Sequence, residues 1–210
     1  MKYKVMIVED QTMPRELFEL RIQSSEHFET ALSIDNASLA EVYCLRFPVD
    51  LILMDVVTRN GENGLDAAAK IKRAFPQIKI IIVTSMPEYS YLSRAREIGV
   101  ESFWYKEEQR ESLLDVMERT MAGESVYPDA TPELQLGLAS SYKFTDRELE
   151  VLREMTGGDT NQEIAERLHI SVATVKSHIL NMLEKTGFRN RTELAVRARE
   201  SGLVILNRKN

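Results

Sequence analysis

Three acidic residues directly follow apolar segments in the first part of this sequence. Glu9 and Asp10 follow an apolar run at residues 5–8, and Asp55 follows a second run at residues 51–54. If these runs are neighbouring parallel strands, their carboxyl ends bring the three carboxylates together at one edge of a sheet. Clustered carboxylates repel one another unless a cation is present, and oxygen ligands of this kind suit Mg²⁺. The pattern therefore predicts a Mg²⁺ site in which one carboxylate attacks a phosphoryl group.

Two more polar residues follow strand-like segments farther along the chain. Thr84 follows the run at residues 80–83, and Lys106 follows the segment at residues 102–105. A hydroxyl group and an ammonium group at the same sheet edge can both bind phosphoryl oxygens. Taken singly, an Asp after a strand is an ordinary turn residue, and a Lys there is usually solvated. Five suitable residues after four strands favour a phosphoryl-transfer site instead.

The elements that must position these residues are short strands alternating with helical patterns. The predicted strands are Lys4 to Val8, Glu29 to Ile34, Asp50 to Met54, Lys79 to Val83 and Ser102 to Tyr105. The predicted helices are Thr12 to Ser24, Ser38 to Phe47, Gly64 to Phe75, Pro87 to Ile98 and Gln109 to Met121. Repeated strand and helix units of this kind predict an α/β fold with a five-stranded, doubly wound parallel sheet.

The alternating pattern breaks after residue 123. Gly, Pro and Ser residues interrupt a stretch of weak periodicity that continues to residue 142. We interpret residues 1–123 as the α/β domain, residues 124–142 as a linker and residues 143–210 as a second, all-α domain. In that domain Thr145 and Thr160 each begin a capping box, which marks the start of a helix.

The helix that begins at Val172 has two distinct faces. Apolar residues recur at helical spacing and form a buried stripe: Val172, Val175, Ile179, Met182 and Leu183. The opposite face carries the residues that a helix in the major groove presents to base edges: Thr174, Lys176, Ser177, Leu180 and Asn181. A short turn joins this helix to the one before it, which is the helix-turn-helix arrangement. Lys185 and Arg191 follow closely and are expected to contact DNA phosphates.

The net charge of -6 conceals an asymmetry along the chain. From residue 143 onward there are 12 Lys and Arg against 10 Asp and Glu, which leaves 15 against 23 for residues 1–142. A polyanion suits the C-terminal part, and a cation site suits the acidic N-terminal part. No apolar run approaches the roughly 20 residues of a membrane helix, and Cys44 has no second cysteine to pair with. We therefore expect a cytoplasmic protein without a membrane partner.

Residues 2–123 resemble the receiver domain of two-component response regulators, which has a flavodoxin-like fold. The matching segments are Val8-Glu9-Asp10, Leu51-Ile-Leu-Met-Asp55, Ile82-Val-Thr84-Ser and Phe103-Trp-Tyr-Lys106. The resemblance implies that Asp55 accepts a phosphoryl group from a sensor histidine kinase. It also implies that Thr84 then moves toward the phosphoryl group and that Phe103 changes rotamer. The Mg²⁺ ligands that it implies are Glu9, Asp10, Asp55 and the Val57 carbonyl.

Residues 144–203 resemble the DNA-binding domain of the LuxR type. The matching segments are Phe-Thr145-Asp-Arg-Glu148-Leu-Glu-Val-Leu, Thr-Asn161-Gln-Glu-Ile-Ala165, Ile-Ser171-Val-Ala-Thr-Val-Lys176-Ser-His178 and Glu184-Lys185-Thr-Gly. Together the two domains resemble the NarL/FixJ class of response regulators. The resemblance implies that the protein is a transcription regulator and not an enzyme. It further implies that this regulator binds a double-stranded DNA operator and is a homodimer when active. RNA polymerase is a further partner that it implies.

One loop departs from the receiver pattern. The family usually has Met-Pro two residues after the acceptor and then Gly, whereas this chain has Thr58-Arg59, and the segment from Asp55 to Gly64 is one residue longer. A receiver that has lost phosphorylation control, and regulates transcription without it, is therefore an alternative. A phosphoaspartyl hydrolase would need a second Asp where this chain has Val57. A regulator whose N-terminal domain binds a small acyl signal would need an apolar pocket and no clustered acids there, so the polar set formed by Glu9, Asp10, Asp55, Thr84 and Lys106 argues against it.

Overall fold

The computed structural model describes residues 2–59, 62–86, 88, 90–106, 112–129 and 131–204. Within it the chain forms two compact units. The first contains residues 1–85 and 90–130, and the second contains residues 86–89 and 131–210. Among the described residues, no helix is both long enough and apolar enough to span a membrane.

The first unit is built on a sheet of five parallel strands. In chain order the strands are β1 (Tyr3–Val8), β2 (Phe28–Ile34), β3 (Leu51–Asp55), β4 (Lys79–Thr84) and β5 (Ser102–Tyr105). Their order across the sheet is β2-β1-β3-β4-β5, so the direction of winding reverses between β1 and β3. This order confirms the predicted doubly wound sheet. It also places the ends of β1 and β3 side by side, where such sheets bind their ligands.

Helices alternate with the strands along the chain of the first unit. The α-helices among its described residues are α1 (Thr12–Gln23), α2 (Ala40–Arg46), α3 (Gly64–Ala74), α4 (Ser90–Ile98) and α5 (Leu113–Met121). The helix predicted from Gln109 begins at Leu113 instead, because Ser112 is its N-cap and its hydroxyl accepts the Asp115 N–H at 3.2 Å. The helix predicted from Pro87 is described from Ser90. Residues 87, 89 and 107–111 lie outside the described residues. Every residue of β3 is buried, as expected of a central strand with helices on both faces.

The second unit is helical. Its described helices are α6 (Asp146–Thr156), α7 (Asn161–Leu168), α8 (Val172–Thr186) and α9 (Arg191–Glu200). Thr145 and Thr160 form the predicted capping boxes at the starts of α6 and α7. At the start of α8 the Ser171 hydroxyl accepts the Thr174 N–H at 3.0 Å. Gly187 ends α8 with a φ of 74°, a left-handed conformation that glycine adopts without strain.

The segment predicted as a linker, residues 124–142, is divided between the two units. Val126 packs in the core of the first unit. Leu136 and Ala139 are buried in the core of the second unit, on a short antiparallel hairpin at residues 135–140. Sequence periodicity does not predict this packing. The segment around Val126 and the hairpin at residues 135–140 each contribute only one or two buried side chains, which is too few to form a periodic pattern.

Candidate functional site

The carboxylates of Glu9, Asp10 and Asp55 lie together at the carboxyl edge of the sheet. One oxygen from each residue lies within 4.8 Å of the others. Glu9 is fully buried, Asp55 is 4% exposed, and Asp10 is half-buried. The pairing of β1 with β3 produces this cluster, because it aligns Val8 with Met54 and so brings the following residues into proximity. The structure thus brings together the three carboxylates predicted to hold a cation.

Lys106 joins two of these carboxylates. Its ammonium group donates to Asp55 Oδ2 at 2.9 Å and also to Glu9 Oε2. Backbone groups hold the other oxygens: the Val56 N–H donates to Asp55 Oδ1 at 2.7 Å, and the Gln11 N–H donates to Glu9 Oε1 at 3.0 Å. Because both oxygens of each buried carboxylate have a partner, the orientation of each group is fixed.

The charges of this cluster act on one another. Burial raises the pKa of Asp55 to about 7, with Lys106 opposing the rise and Glu9 adding to it. Burial acts to lower the pKa of Lys106, but the carboxylates of Asp55 and Glu9 outweigh burial and raise it. One ammonium group therefore faces an excess of acidic groups. A divalent cation beside the three carboxylates would favour the ionised form of Asp55, which is the nucleophilic form.

Thr84 and Phe103 lie on the neighbouring strands β4 and β5. The side chain of Thr84 is 1% exposed, and its carbonyl accepts the Lys106 N–H at 2.9 Å. Thr84 therefore lies beside the cationic residue, at the edge of the sheet where the sequence placed it. Phe103 is 2% exposed, and its ring centroid lies 5.0 Å from that of Tyr105 and 6.2 Å from that of Tyr127. The predicted rotamer change of Phe103 would disturb both ring contacts.

The loop that follows Asp55 contains a small hairpin. Val57–Thr58 pairs with Glu62–Asn63 in antiparallel orientation, and residues 60 and 61 of the unusual 58–64 loop lie outside the described residues. The Thr58 hydroxyl is buried, accepts the Ala37 N–H at 2.9 Å and donates to the Glu62 carbonyl at 3.2 Å. Val57, whose carbonyl is the predicted fourth Mg²⁺ ligand, begins the hairpin.

Helix α8 presents a polar, exposed face. The residues predicted to face base edges are all exposed: Thr174, Lys176, Ser177, Leu180 and Asn181. The predicted buried stripe is also present, with Val175, Ile179 and Met182 buried and Val172 and Leu183 packed at its border. Leu180 is 56% exposed, so it does not extend the core of this unit. An exposed apolar residue among polar ones can contact a thymine methyl group in the major groove.

Lys185 has a different environment from the one predicted for a phosphate-contacting residue. Its ammonium group donates to both carboxylate oxygens of Glu148, at 2.7 and 2.6 Å, and to the Lys143 carbonyl at 2.8 Å. An ammonium group has three donors, so all three are used within the unit. Burial acts to raise the pKa of Glu148, but hydrogen bonds from Lys185 and Thr145 outweigh burial and lower it. This ion pair joins α6 to the end of α8.

Arg191, the other predicted phosphate contact, is also held within the second unit. Its guanidinium group donates to Asn161 Oδ1 at 3.0 Å and to the Asp159 carbonyl at 2.8 Å. These bonds join the start of α9 to the start of α7, 30 residues away in the sequence. A guanidinium group has five donors. Two of the Arg191 donors are engaged in these bonds, so other donors of Arg191 remain for a phosphate. The Lys185 ammonium group, in contrast, uses all three of its donors within the unit.

Sequence reasoning missed two residues that shape these sites. Tyr127 contacts the ring of Phe103, but it lies in a Pro-containing segment that was interpreted as linker. Glu148 was recognised only as part of a capping box, although it also pairs with Lys185. The available signal for Tyr127 was a large aromatic residue, which favours burial, in an otherwise polar stretch. For Glu148 no local signal existed, because its partner is 37 residues away.

Two family models match the parts of the chain that carry these sites. The model of the response regulator receiver domain matches residues 5–118, and the model of the bacterial regulatory proteins of the luxR family matches residues 142–198. The chain is a response regulator. Its receiver and LuxR-type domains give it the organisation of the NarL/FixJ class, as the sequence motifs predicted.

This response regulator is similar over its length to curated proteins of the same family. It is 31% identical to the response regulator protein VraR of Staphylococcus epidermidis, over 212 residues that cover 97% of this chain and 100% of that protein. It is also 31% identical to VraR of Staphylococcus aureus, over 220 residues with the same coverage of both chains. The membership in the family is therefore shown for both units.

Solved structures share its fold. RcsB from Salmonella enterica serovar Typhimurium, bound to the promoter rprA in the presence of the phosphomimetic BeF3⁻, matches with a TM-score of 0.62 and 20% identity. That match covers 93% of this chain and 98% of RcsB. The crystal structure of the response regulator ChrA matches with a TM-score of 0.52 and 22% identity, covering 96% of this chain and 98% of ChrA. These likenesses confirm the predicted fold of a parallel α/β sheet followed by a helical domain.

Proposed function

We propose that this response regulator is a cytoplasmic transcription regulator whose DNA binding is controlled by phosphorylation of Asp55. The observation that carries the proposal is the position of Lys106, which bridges the buried carboxylates of Asp55 and Glu9 beside Asp10. A structural ion pair does not require a third acid at the same place. Three acids with one cation at the edge of a parallel sheet are suited to phosphoryl transfer.

The residues of the receiver have distinct roles in this reaction. Asp55 attacks phosphorus through a carboxylate oxygen, the bond from phosphorus to the kinase histidine breaks, and an aspartyl phosphate forms. Lys106 and the Thr84 hydroxyl then bind phosphoryl oxygens. Bound Mg²⁺, held by Glu9, Asp10, Asp55 and the Val57 carbonyl, would neutralise charge on the transferred group. Asp55 is an acceptor in this scheme, and Val57 replaces the second Asp that a hydrolase of this type needs.

The second unit reads DNA through α8. Thr174, Lys176, Ser177, Leu180 and Asn181 project from one exposed face, which we place in the major groove of a double-stranded operator. Arg191 contacts a phosphate nearby. RcsB, which shares the fold, has been solved as dimers bound to DNA, which supports a homodimeric active form for this chain. In α9, Val196 is 49% exposed and available for dimer contacts. RNA polymerase is a further partner that we propose for the DNA-bound regulator.

The test is DNA binding with and without a small phosphodonor and Mg²⁺. The DNA probe is a duplex that the native chain selects from a random pool, compared with a scrambled duplex of equal length. For the native chain we expect the phosphodonor to raise the affinity for the selected duplex about 5- to 100-fold, the usual range of coupling between two sites. Asp55→Asn should remove the increase. The control Asp115→Asn, which changes an exposed carboxylate of α5, should keep it.

A regulator that acts without phosphorylation is the second candidate, and the hairpin after Asp55 favours it. The hairpin contains Thr58, one of the two residues at which the sequence departs from the receiver pattern, and the Thr58 hydroxyl accepts the Ala37 N–H. Equal binding of the selected duplex with and without phosphodonor, in the native chain and in Asp55→Asn, would establish this candidate. Failure to prefer the selected duplex over the scrambled one would contradict both candidates.

A further inference from the structure

Residues 125–127 run along β5, the edge strand of the receiver sheet. The Ser125 hydroxyl donates to the Glu101 carbonyl at 2.8 Å, and the Val126 N–H donates to Ser102 Oγ at 3.1 Å. The Phe103 N–H donates to the Val126 carbonyl at 2.8 Å. An edge strand would otherwise leave such backbone groups to solvent. The segment that leaves the receiver is therefore bonded to β5 at the level of Phe103.

Tyr127 fixes this segment through its side chain. Its ring centroid lies 6.2 Å from that of Phe103, with the two planes inclined by 35°. The Tyr127 hydroxyl donates to the Val100 carbonyl at 2.8 Å. The guanidinium carbon of Arg96 lies 4.7 Å from the centroid of the Tyr127 ring. A guanidinium group over an aromatic face is attracted to the ring. Tyr127 is thus held by α4, by the turn before β5 and by Phe103.

Phe103 connects this segment to the phosphorylation site. Its ring packs 5.0 Å from that of Tyr105, the residue before Lys106. Tyr105 in turn pairs with Thr84 across the two strands. A rearrangement of Thr84 and Lys106 around a phosphoryl group therefore acts on residues that contact Phe103. Close-packed groups of this kind change between discrete arrangements rather than deforming gradually.

We propose that Tyr127 is the positioning residue that couples Phe103 to the segment leading to the DNA-binding unit. The proposal rests on the proposed phosphorylation control of DNA binding. When Phe103 leaves its packed position, Tyr127 loses its ring contact with Phe103, and this contact is one of the three that hold it in place. The state of Asp55 then changes the conformation of residues 125–127. Because the second unit begins at residue 131, this change reaches it through only a few residues.

The experiment measures phosphorylation and DNA binding separately in full-length variants. The phosphorylated fraction is determined by intact mass after incubation with phosphodonor and Mg²⁺, and DNA affinity is measured on the duplex selected by the native chain. Tyr127→Ala removes the ring, and Tyr127→Leu replaces it with an apolar side chain that keeps the site filled. Tyr127→Phe keeps the ring and removes only the hydrogen bond to Val100. Urea unfolding followed by Trp104, the single tryptophan, verifies the receiver core.

We expect Tyr127→Ala and Tyr127→Leu to reach the native level of phosphorylation while their affinity gain falls to less than about twofold, against the 5- to 100-fold gain expected of the native chain. Tyr127→Phe should behave like the native chain. A merely structural role would instead lower phosphorylation and the unfolding midpoint together. If Tyr127→Ala does not fold, the affinity gain of Tyr127→Leu on phosphorylation serves as the test of the proposal.

Two results would overturn the proposal, and they can be distinguished because only the second also contradicts phosphorylation control of DNA binding. If folded Tyr127→Ala or Tyr127→Leu keeps the full affinity gain, Tyr127 does not couple the two units, and phosphorylation control stands. If the native chain itself is phosphorylated without any gain in affinity, the proposed function fails, and the coupling role fails with it.

Discussion

A β-carbon on Gly64 would lie 1.9 Å from the carbonyl oxygen of Asp55. The start of α3 therefore lies against the backbone of Asp55, the residue that we propose as the phosphoacceptor. The Gly64 N–H also donates to the Val56 carbonyl at 2.8 Å. A side chain does not fit at position 64 in this backbone, so the start of α3 requires a glycine there.

Gly64→Ala should destabilise the receiver and lower its phosphorylation. The added methyl group would displace the Asp55 backbone, and overpacking of this kind typically costs about 1–3 kcal/mol. Urea unfolding followed by Trp104 fluorescence measures the effect on this unit. The control is Gly99→Ala, where a β-carbon meets nothing within 4 Å and only the left-handed φ of +83° adds a cost. Equal phosphorylation of Gly64→Ala and the native chain would contradict the role assigned to this contact.

Gly137→Ala should destabilise the second unit more than a matched change in the same unit. A β-carbon on Gly137 would lie 2.2 Å from the Thr186 carbonyl oxygen, which ends α8 and accepts the Leu138 N–H at 2.9 Å. Gly158→Ala is the control, since its φ of +89° is also left-handed but nothing lies within 4 Å. We expect Gly158→Ala to cost about 1 kcal/mol and Gly137→Ala about 2 kcal/mol more.

The comparison of these two glycine variants uses urea unfolding followed by far-ultraviolet circular dichroism. The hairpin at residues 135–140 contacts the end of α8, the helix that we propose reads DNA, so Gly137→Ala should also weaken binding of the selected duplex. Equal stabilities of the two variants would show that the hairpin does not bear on α8.

Glu148→Gln should destabilise the second unit in a manner that depends on pH. The pKa of Glu148 is lowered in the folded chain, so its ion pair with Lys185 contributes stability that is fully present above the unfolded pKa. That contribution is lost as the pH falls through the lower folded value. At neutral pH we expect a loss of about 2 kcal/mol, typical of a hydrogen bond to a charged partner. The difference between the native chain and Glu148→Gln should therefore shrink in acid.

The measurement is the free energy of unfolding of both proteins by urea at a series of pH values from neutral to acidic. Glu150→Gln is a suitable control, because Glu150 lies on the same helix and its ion pair with Arg147 is partly exposed. A difference between the native chain and Glu148→Gln that stays constant across the series would refute the assigned ion pair.

Lys176→Ala should lower the preference for the selected duplex over the scrambled duplex. A side chain that reads a base edge contributes about 1–3 kcal/mol of discrimination, so we expect a loss near tenfold in the ratio of the two affinities. Lys143→Ala removes an exposed charge outside α8 and should leave the ratio unchanged. Gel-shift titrations at one fixed salt concentration give both affinities. A ratio unaffected by Lys176→Ala would place Lys176 on phosphate instead of on a base.

The carboxylate cluster was predictable because a simple rule of topology connects it to the sequence. Glu9, Asp10 and Asp55 follow strands, and parallel strands in a doubly wound sheet share one carboxyl edge. Thr84 and Lys106 follow from the same rule. The exposed face of α8 was likewise predictable, since helical periodicity separates its buried residues from its exposed ones without reference to the rest of the chain.

The sequence by itself determined the two families through their motifs. It also determined the parallel sheet, the acids at its edge and the two faces of α8, because the alternation of strands with helices and the periodicity of a helix are local patterns. Only the tertiary structure decided that Lys185 pairs with Glu148 and that Tyr127 packs against Phe103. It also decided that Gly64 lies against Asp55. A lysine in an ion pair and a lysine in solvent have the same local sequence signal. Which partner each residue meets depends on how segments distant in the chain pack together, and local periodicity does not encode that packing.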